Sequence, residues 1–398
     1  MTWVCGWLRE FTSRFHPVRI ATRPDSPADQ ECPILSAPAV SLHDFAIGQL
    51  RNLLRAVGLA DSANTATKLL GEALGPGCRA PLSTVPQWPS FVADDHSPVE
   101  FSVALAQNER PAVRMIVESL AEQPGRQANL TAALGVLDRL VDQYELRLGQ
   151  FDRVRDLFLP DDPQGEFTFW YSLIVQPSGA PAVKVYLNPD ARGRERATGL
   201  VAEALARLGL HSAFPVVAEH GLRREGLDRF SFFALDLTDE HRARVKTYVS
   251  HADAMIADVA RAAAATPDVD PALLADVCEI ARGGTEPFTR RPLMSSYTFL
   301  SGDTDRPSGY SLYIPVRDYV QDDLEACERV LAIMARCGLD TTPFVMALAS
   351  LVRRPLGDGV GLIAHVSLRL GLPKPGVSVY LSSEAYDVTP PRTTALSA

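Results

Sequence analysis

The sequence has no excess of positive charge and no long apolar run. Its 398 residues carry a formal net charge of −9 at pH 7, so no global basic field is present to attract a nucleic acid. No apolar run approaches the roughly 18 residues that a membrane helix needs, and the first residues lack the apolar length and small-residue cleavage site of a secretory signal. We therefore expect a cytoplasmic protein that binds neither a nucleic acid nor a membrane.

The usual motifs of phosphate, hydrolase and metal chemistry are also missing. There is no GxxxxGK[ST], no GxGxxG after a strand and no GxSxG. The six cysteines form no CxxC and no metal-ligand spacing, which indicates reduced thiols. Adjacent aspartate pairs occur at 94–95, 161–162 and 322–323. They are typical of helix caps or turns rather than of the spaced aspartates of a magnesium–diphosphate site. No metal or other cofactor is expected.

A tyrosine ends each of four strand-like runs, VKVYLNP, RVKTYVSH, SLYIPVR and VSVYLSS. These tyrosines, spaced 62, 65 and 67 residues apart, are Tyr186, Tyr248, Tyr313 and Tyr380. Lys184 and Lys246 precede the first two by two residues, and Arg244 lies two residues further back. A period of this size with a constant chemical ending predicts a repeated unit that lines one shared site.

Around these runs the chain alternates between pairs of strands and helices. Five hairpins are predicted, at 98–105/111–118, 166–175/182–188, 228–237/243–249, 294–301/309–316 and 359–370/376–382. Helical spacing is found at 42–58, 63–75, 127–147, 193–209, 251–264, 271–282, 322–337 and 341–353. Ten antiparallel strands in a flat sheet would leave long edges, so closure is favoured over separate α+β domains. The predicted fold is α+β, a ten-stranded antiparallel barrel that encloses a chamber and is surrounded by an outer ring of α-helices.

The same pattern predicts the domain organisation. Residues 1–40 are rich in proline, serine and arginine and lack periodicity, which predicts an irregular N-terminal extension. Residues 41–386 are predicted to form a single barrel domain, and residues 387–398 a C-terminal tail.

Each of the four tyrosines shares a strand face with the residue two positions earlier. Those partners are Lys184, Lys246, Ser311 and Ser378. The residues between them are mostly apolar. If the apolar face packs under the outer helices, the cations point into the chamber; otherwise they are solvent-exposed lysines on half-buried strands. Repetition in four successive units favours the chamber.

Four basic side chains are then expected inside the barrel: Arg114, Lys184, Arg244 and Lys246. Buried positive charge requires an anion, and guanidinium and ammonium groups suit phosphate oxygens. Tyrosine hydroxyls add donors, and tyrosine ring faces stabilise a cation. This combination predicts the ionisation of an allylic diphosphate. The chamber should be cationic on one side and nearly neutral near Ser311 and Ser378, where we expect the prenyl tail and the acceptor.

Two further polar residues lie within predicted strands. Glu100, in PVEFSVAL, shares a face with Ser102 and is a candidate general base if it points inward; a solvated strand position is the alternative. His365 could also face inward, although a core or surface role is favoured for it.

In these motifs the sequence resembles the dimethylallyltryptophan synthase family of aromatic (indole) prenyltransferases, in particular its bacterial branch. The resemblance covers about residues 42–386, and its most specific strings are VKVYLNP, RVKTYV, SLYIPVRDYV and VSVYLSSEAY, with PVEFSV ahead of VRM. It implies the ABBA-type prenyltransferase barrel. It also implies transfer of a prenyl group, usually dimethylallyl, from its diphosphate to an indole without a bound metal.

The resemblance also implies roles for individual residues. It implies that the diphosphate is bound by Arg114, Lys184, Arg244 and Lys246. It implies a shield around the allylic cation, with contacts to the diphosphate, from Tyr186, Tyr248, Tyr313 and Tyr380. Glu100 matches the catalytic glutamate that hydrogen-bonds the indole N–H.

Three departures from the family pattern bear on the acceptor. Many fungal members have glutamine at the position of Ser311 and a further tyrosine at the position of Gly376. A lysine that some members use to remove the ring proton would fall near Trp170 and Tyr171, where there is none. We expect these four residues to contribute to an acceptor pocket.

The predicted function is transfer of a dimethylallyl group from dimethylallyl diphosphate to the indole ring of L-tryptophan or a tryptophan derivative. The reaction would be a metal-independent Friedel–Crafts-type alkylation in secondary (alkaloid) metabolism. These small molecules are the expected partners of a monomer or homodimer. One alternative is a larger indole acceptor, a cyclic dipeptide or indolactam, with dimethylallyl or geranyl diphosphate as donor. The other is a non-catalytic barrel that binds a prenyl diphosphate. The attacked ring position and the orientation of the prenyl group stay open.

Overall fold

A computed structural model describes residues 40–83, 85–177, 180–239, 241–371 and 375–392. Residues 1–39 of the expected N-terminal extension and 393–398 of the expected C-terminal tail lie outside the described residues. The predicted domain boundaries therefore stay predictions.

Ten antiparallel strands form one closed barrel. They are β1 (Val99–Leu105), β2 (Ala112–Val117), β3 (Phe169–Val175), β4 (Ala182–Leu187), β5 (Asp228–Asp236), β6 (Val245–His251), β7 (Leu293–Phe299), β8 (Gly309–Ile314), β9 (Ile363–Gly371) and β10 (Gly376–Ser382). Each strand pairs with its neighbours in the chain, and β1 closes the barrel on β10, where Phe101 lies opposite Leu381. Closure removes the open edges that a flat sheet would have. The predicted barrel is confirmed.

Ten α-helices among the described residues accompany the strands. They are α1 (Leu42–Ala56), α2 (Ala63–Ala73), α3 (Arg126–Tyr144), α4 (Gly149–Phe158), α5 (Ala197–Arg207), α6 (Ala213–Gly221), α7 (Ile256–Ala263), α8 (Pro271–Arg282), α9 (Asp323–Arg336) and α10 (Thr342–Leu351). None of them has the length and apolar content to cross a membrane.

Helices α4 and α6 were not predicted from the sequence. Helix α4 buries a stripe of only three residues, Phe151, Val154 and Phe158. Helix α6 contains Pro215 in its first turn. Proline is tolerated there because the missing N–H would have no intrahelical partner. A short apolar stripe and an internal proline are both weak helix signals.

The barrel wall is a single β-sheet whose outer and inner faces differ in chemistry. Val185, Leu312 and Val379 are fully buried in the main hydrophobic core, which the outer helices share. The alternate residues Lys184 and Tyr186 line the interior instead. The predicted division between an apolar outer face and a polar inner face is therefore correct.

A buried polar chain joins four strands on the outer face of the barrel. Asp228 Oδ1 lies 2.8 Å from Nδ1 of His251, and Nε2 of His251 lies 2.8 Å from Oγ of Ser295. Ser295 is in turn 2.7 Å from the hydroxyl of Tyr310, which donates to the carbonyl of Val259 in α7. The order Asp–His–Ser matches that of a hydrolase triad, but these side chains are buried under α7 and line neither cavity of the interior. Their hydrogen bonds link β5, β6, β7 and β8 to one another and to α7.

Asp228 is the charged member of this chain, and its removal should destabilise the fold. Its carboxylate also accepts hydrogen bonds from the backbone N–H and the guanidinium of Arg224. Burial opposes the charge, yet the bonds from His251 and Arg224 lower the pKa of Asp228 to about 2. We predict that Asp228→Asn lowers the free energy of unfolding by about 3 kcal/mol at neutral pH, because it leaves buried donors unpaired.

Urea unfolding measures this effect. In the wild type the contribution is present above the ordinary aspartate pKa of about 4 and is lost as pH falls toward about 2. Asp239, whose exposed carboxylate lies 3.7 Å from Arg147, gives the control Asp239→Asn, expected within about 0.5 kcal/mol of wild type. Equal stability of the two variants would contradict the assignment.

Candidate active site

The five even-numbered strands repeat one arrangement of side chains inside the barrel. They run parallel to one another because every neighbouring pair is antiparallel. Each carries a polar residue followed two positions later by an apolar or aromatic one: Arg114/Ile116, Lys184/Tyr186, Lys246/Tyr248, Ser311/Tyr313 and Ser378/Tyr380. The tyrosine repeat recognised in the sequence therefore places one tyrosine on every second strand around the barrel. In the first unit, Ile116 stands in place of the tyrosine.

The structure brings the four predicted cations together at one end of the chamber. Arg114, Lys184, Arg244 and Lys246 line a single cavity with the hydroxyls of several serines. The neighbouring Arg110, by contrast, is exposed and donates to the carbonyl of Gly58. The Nε of Arg114 is buried without a hydrogen-bond partner among the described residues. This nitrogen is therefore a donor that a bound anion could use.

A fifth cation, Arg369 on β9, lines the same cavity. On one side it lies opposite Ser311 of β8, and on the other side it lies opposite Gly376 of β10. The alternation His365, Ser367, Arg369 in HVSLR could have revealed it. With Arg369 present, the expectation of a nearly neutral side near Ser311 and Ser378 is wrong. We call Arg114, Lys184, Arg244, Lys246 and Arg369 the cationic layer.

Ser311 and Gly376 lie at the cationic layer and not in an acceptor pocket. Ser311 lines the cationic cavity. A Cβ on Gly376 would lie 2.5 Å from the carbonyl of Leu105 and 3.0 Å from Nη2 of Arg369. The space that a tyrosine would need is therefore filled by backbone and by Arg369.

One compensating charge in the cationic layer comes from Asp236. The carboxylate of Asp236 lies 2.6 Å from Nε of Arg244. Burial lowers the pKa of Lys184 to about 7, with Asp236 opposing and the neighbouring arginines reinforcing the shift. Burial, together with Lys184 and the arginines, also holds the pKa of Lys246 well below its ordinary range. Without a bound anion these cations destabilise one another.

The four predicted tyrosines form a second layer beside the cations. Neighbouring ring centroids are 5.7 Å apart for Tyr186 and Tyr248, 5.8 Å for Tyr248 and Tyr313, and 5.9 Å for Tyr313 and Tyr380. The hydroxyl of Tyr248 donates to that of Tyr186 at 3.3 Å. All four rings also line a larger, more open cavity beyond them. We call these residues the tyrosine layer.

The larger cavity has a volume of about 500 Å³, which is within the range of small-molecule sites. Phe167 and Trp170 stack in its wall with ring centroids 4.3 Å apart, and Phe232 lies 5.2 Å from Phe167. Phe232 is turned inward by an irregularity in β5 at Phe230/Phe232, so simple alternation did not reveal it. We call this space the acceptor cavity.

Tyr171 does not line the acceptor cavity, contrary to expectation. Trp170 faces the cavity, and its neighbour in the strand must therefore face outward. The hydroxyl of Tyr171 donates to the carbonyl of Ala133 in α3 at 2.6 Å. Tyr171 instead anchors that helix to the barrel.

Glu100 faces the acceptor cavity beside a cluster of charged residues. Burial raises the pKa of Glu100 to about 8; Asp94 acts in the same direction, and Arg291 and Arg317 oppose it. Asp94 itself lies 2.7 Å from Arg291 and also pairs with Arg317. Burial opposes its charge, but the two arginines lower the pKa of Asp94 to about 2. One side of the cavity thus carries Glu100, which favours the protonated form, and Asp94, which favours the ionised form.

No cluster of three or more histidine, cysteine or acidic side chains suited to a metal ion occurs in the described ranges. Members of two of the three adjacent aspartate pairs have other partners. Asp95 accepts from the backbone N–H of Ala385 and Tyr386. Asp322 caps the N-terminus of α9.

Comparison with known proteins agrees with this geometry. A profile described as tryptophan dimethylallyltransferase matches residues 64–343. The chain therefore belongs to the tryptophan dimethylallyltransferase family of prenyltransferases.

The proteins similar to the chain include two solved structures and one further protein. The 6-dimethylallyltryptophan synthase of Micromonospora olivasterospora, solved with DMASPP and Trp, is 49% identical, with 89% of this chain and 100% of that chain covered and a TM-score of 0.85. The 5-dimethylallyltryptophan synthase of Streptomyces coelicolor, also solved with DMASPP and Trp, is 37% identical, with 90% and 100% covered and a TM-score of 0.82. Deoxybrevianamide E synthase of Aspergillus versicolor is 27% identical over 209 residues, which span 45% of this chain and 47% of that protein.

The lowered pKa of Lys184 generates a prediction for anion binding. An anion in the cationic layer stabilises the protonated form of Lys184. Above a pH of about 7, where this side chain is otherwise largely neutral, anion binding must therefore be coupled to the uptake of a proton. Lys184→Arg keeps the charge at all relevant pH values. We predict that the affinity of wild type for inorganic diphosphate, relative to Lys184→Arg, falls as pH rises from about 6 to about 9. Isothermal titration calorimetry measures both affinities; a constant ratio would show that Lys184 is already charged in the empty chamber.

Proposed function

We propose that this protein transfers a dimethylallyl group from dimethylallyl diphosphate to the indole ring of L-tryptophan or a close derivative, without a bound metal ion. The observation that carries the proposal is the sequence of three environments along one chamber. A cationic layer is followed by a tyrosine layer, and the tyrosine layer by an aromatic cavity with a buried carboxyl group.

The cationic layer suits a departing diphosphate. Breaking the allylic C–O bond places negative charge on the leaving group, and prearranged cations stabilise that charge more than the neutral ground-state ester oxygen. Arg114, Lys184, Arg244, Lys246 and Arg369 supply the charge, and hydroxyls such as Ser311 and Ser378 supply further donors. These groups perform the neutralisation that a metal ion performs in other diphosphate sites.

The tyrosine layer suits the allylic cation. Its four rings present π-faces, and phenol groups in such positions stabilise a cation without reacting with it as free water would. Burial holds the pKa of Tyr248 and Tyr380 well above the ordinary value. Their hydroxyls therefore stay protonated and poorly nucleophilic.

The acceptor cavity suits the indole of an amino acid. Phe167, Trp170 and Phe232 provide stacking surfaces for a flat aromatic ring, and Glu100 provides an acceptor for the indole N–H. Charged side chains of both signs line the cavity, including Arg229, whose Nη1 lies 3.1 Å from Oδ2 of Asp190. An α-amino and an α-carboxylate group need such a pair. A cyclic dipeptide has no free α-amino or α-carboxylate group to use it.

A larger acceptor or a geranyl donor would need extra space where Ser311 and Gly376 stand in place of the larger residues of other members. Both lie at the cationic layer, where Arg369 fills the space. Free tryptophan is therefore the acceptor that the site supports best. The monomer-or-homodimer state, the cytoplasmic location and a role in secondary metabolism stay predictions.

The assay that tests this proposal combines the protein, dimethylallyl diphosphate and L-tryptophan with excess EDTA. We expect a tryptophan product heavier by one dimethylallyl group, detected by mass spectrometry. Product from a tryptophan-containing cyclic dipeptide but not from tryptophan would overturn the acceptor. Diphosphate binding without product from any indole would instead identify a non-catalytic barrel.

The raised pKa of Glu100 predicts the acid limb of the pH profile. Only the carboxylate accepts strongly from the indole N–H, and burial raises the pKa of Glu100 to about 8. With both substrates saturating, kcat should therefore increase as the pH is raised through about 8 and decrease as the pH is lowered. Glu100→Gln should lower kcat about 100-fold and remove this limb, since glutamine does not titrate. An unchanged limb in the variant would assign the titration to another group.

A further inference from the structure

The proposed reaction leaves a ring proton to be removed, and the inference drawn here rests on that proposed function. When a ring carbon forms the new C–C bond, it carries both the prenyl group and its original hydrogen. The hydrogen then projects out of the ring plane. The allylic cation is proposed to lie in the tyrosine layer, so the group that accepts the proton must lie beside that layer. The lysine that serves some relatives has no counterpart near Trp170.

Five side chains of the acceptor cavity could accept a proton: Asp94, Glu100, Glu166, Asp190 and His365. Three of them are poor choices. Both carboxylate oxygens of Asp94 already accept hydrogen bonds from Arg291 or Arg317. Asp190 is paired with Arg229. Glu166 is exposed at the rim of the cavity.

Glu100 is already committed under the proposed function. Its carboxylate binds the indole N–H, whose hydrogen lies in the plane of the ring. A group bound in that plane cannot also lie over the face of a benzenoid ring carbon, where the departing hydrogen points. A separate acceptor is therefore required for attack on the benzenoid ring.

His365 occupies the required position. It lies on β9 opposite Tyr380 in the strand register, and the two rings meet edge to face with centroids 6.3 Å apart. The side chain is partly exposed, and it lines the acceptor cavity together with Tyr313 and Tyr380. It therefore borders the tyrosine layer on the side of the acceptor.

The surroundings of His365 keep its ring neutral. Burial lowers the pKa of His365 to about 3, and the charges of Arg291 and Arg317 reinforce the shift while Asp94 opposes it. None of these three side chains forms a hydrogen bond with the imidazole in the described part of the chain. A ring nitrogen thus keeps a free lone pair at neutral pH. The prenylated ring cation is a far stronger acid than imidazolium, so a weak base is sufficient.

We propose that His365 is the catalytic base that removes the proton from the prenylated ring carbon. The C–O bond of the donor breaks, and its electron pair leaves with the diphosphate. A π pair of the indole forms the bond to the allylic carbon. The electron pair of the C–H bond then returns to the ring, and the proton binds the imidazole lone pair. The resulting imidazolium releases this proton to solvent when the products leave.

A kinetic isotope effect tests this role. Wild type and His365→Asn are compared with ring-deuterated and unlabelled L-tryptophan under saturating dimethylallyl diphosphate. We expect kcat of His365→Asn to fall about 100-fold. We also expect its ratio of kcat with unlabelled to deuterated substrate to exceed the wild-type ratio, because C–H cleavage becomes slow when its base is absent.

Controls separate this role from structural damage. His211, an exposed histidine ahead of α6, gives the matched variant His211→Asn, whose kcat and isotope ratio should equal those of wild type. Calorimetry with inorganic diphosphate should show that His365→Asn still binds the anion, which confirms an intact chamber. Imidazole added to His365→Ala should restore part of kcat.

Two outcomes would overturn the proposal. One is a His365→Asn enzyme with the wild-type isotope ratio, whether or not kcat has fallen. The other is a raised ratio in Glu166→Gln in place of His365→Asn. Failure of the proposed function itself is distinguishable, because wild type would then give no prenylated tryptophan at all.

Discussion

Positive charge gathered inside a closed β-barrel is the constraint on which the other features depend. Five basic side chains lie at one end of the chamber, where Arg244 pairs with the carboxylate of Asp236. Such a group of charges is stable only when the surrounding fold is already held together by other contacts. The continuous apolar layer between the barrel and its helices supplies those contacts, with residues such as Val185 and Val379 fully buried. The basic side chains of the chamber are therefore not needed to hold the fold together and can bind a ligand.

The closed barrel also explains why the functional groups occur in layers. In a strand, a shift of two residues moves a side chain along the barrel axis without changing its face. Lys184 and Tyr186 differ by one such step, as do Lys246 and Tyr248. Because alternate strands run in the same direction, these steps align around the circumference. A short sequence pattern is thereby converted into a cationic layer and an adjacent tyrosine layer.

Much of this arrangement could be predicted from the sequence, since it depends on strand alternation. The barrel, the four cations and the four tyrosines all follow from a period of two within a repeat of about 65 residues. Residues outside that regular pattern were missed or misplaced. Phe232 depends on an irregularity in its strand, and Tyr171 was grouped with Trp170 although neighbours in a strand face opposite sides. Arg369 lies on a strand that runs against the repeat, so its place beside Gly376 depends on register, which sequence spacing alone does not give.

The central claim is that one chamber holds the diphosphate among the cations, the allyl group within the tyrosine layer and the indole beside Glu100. A crystal structure with a non-hydrolysable dimethylallyl thiolodiphosphate and L-tryptophan tests it most directly. The account predicts diphosphate oxygens within hydrogen-bond distance of Lys184, Lys246 and Arg369, and the indole N–H directed at the carboxylate of Glu100. A diphosphate bound at the rim near Arg229, or an indole N–H directed away from Glu100, would contradict the account.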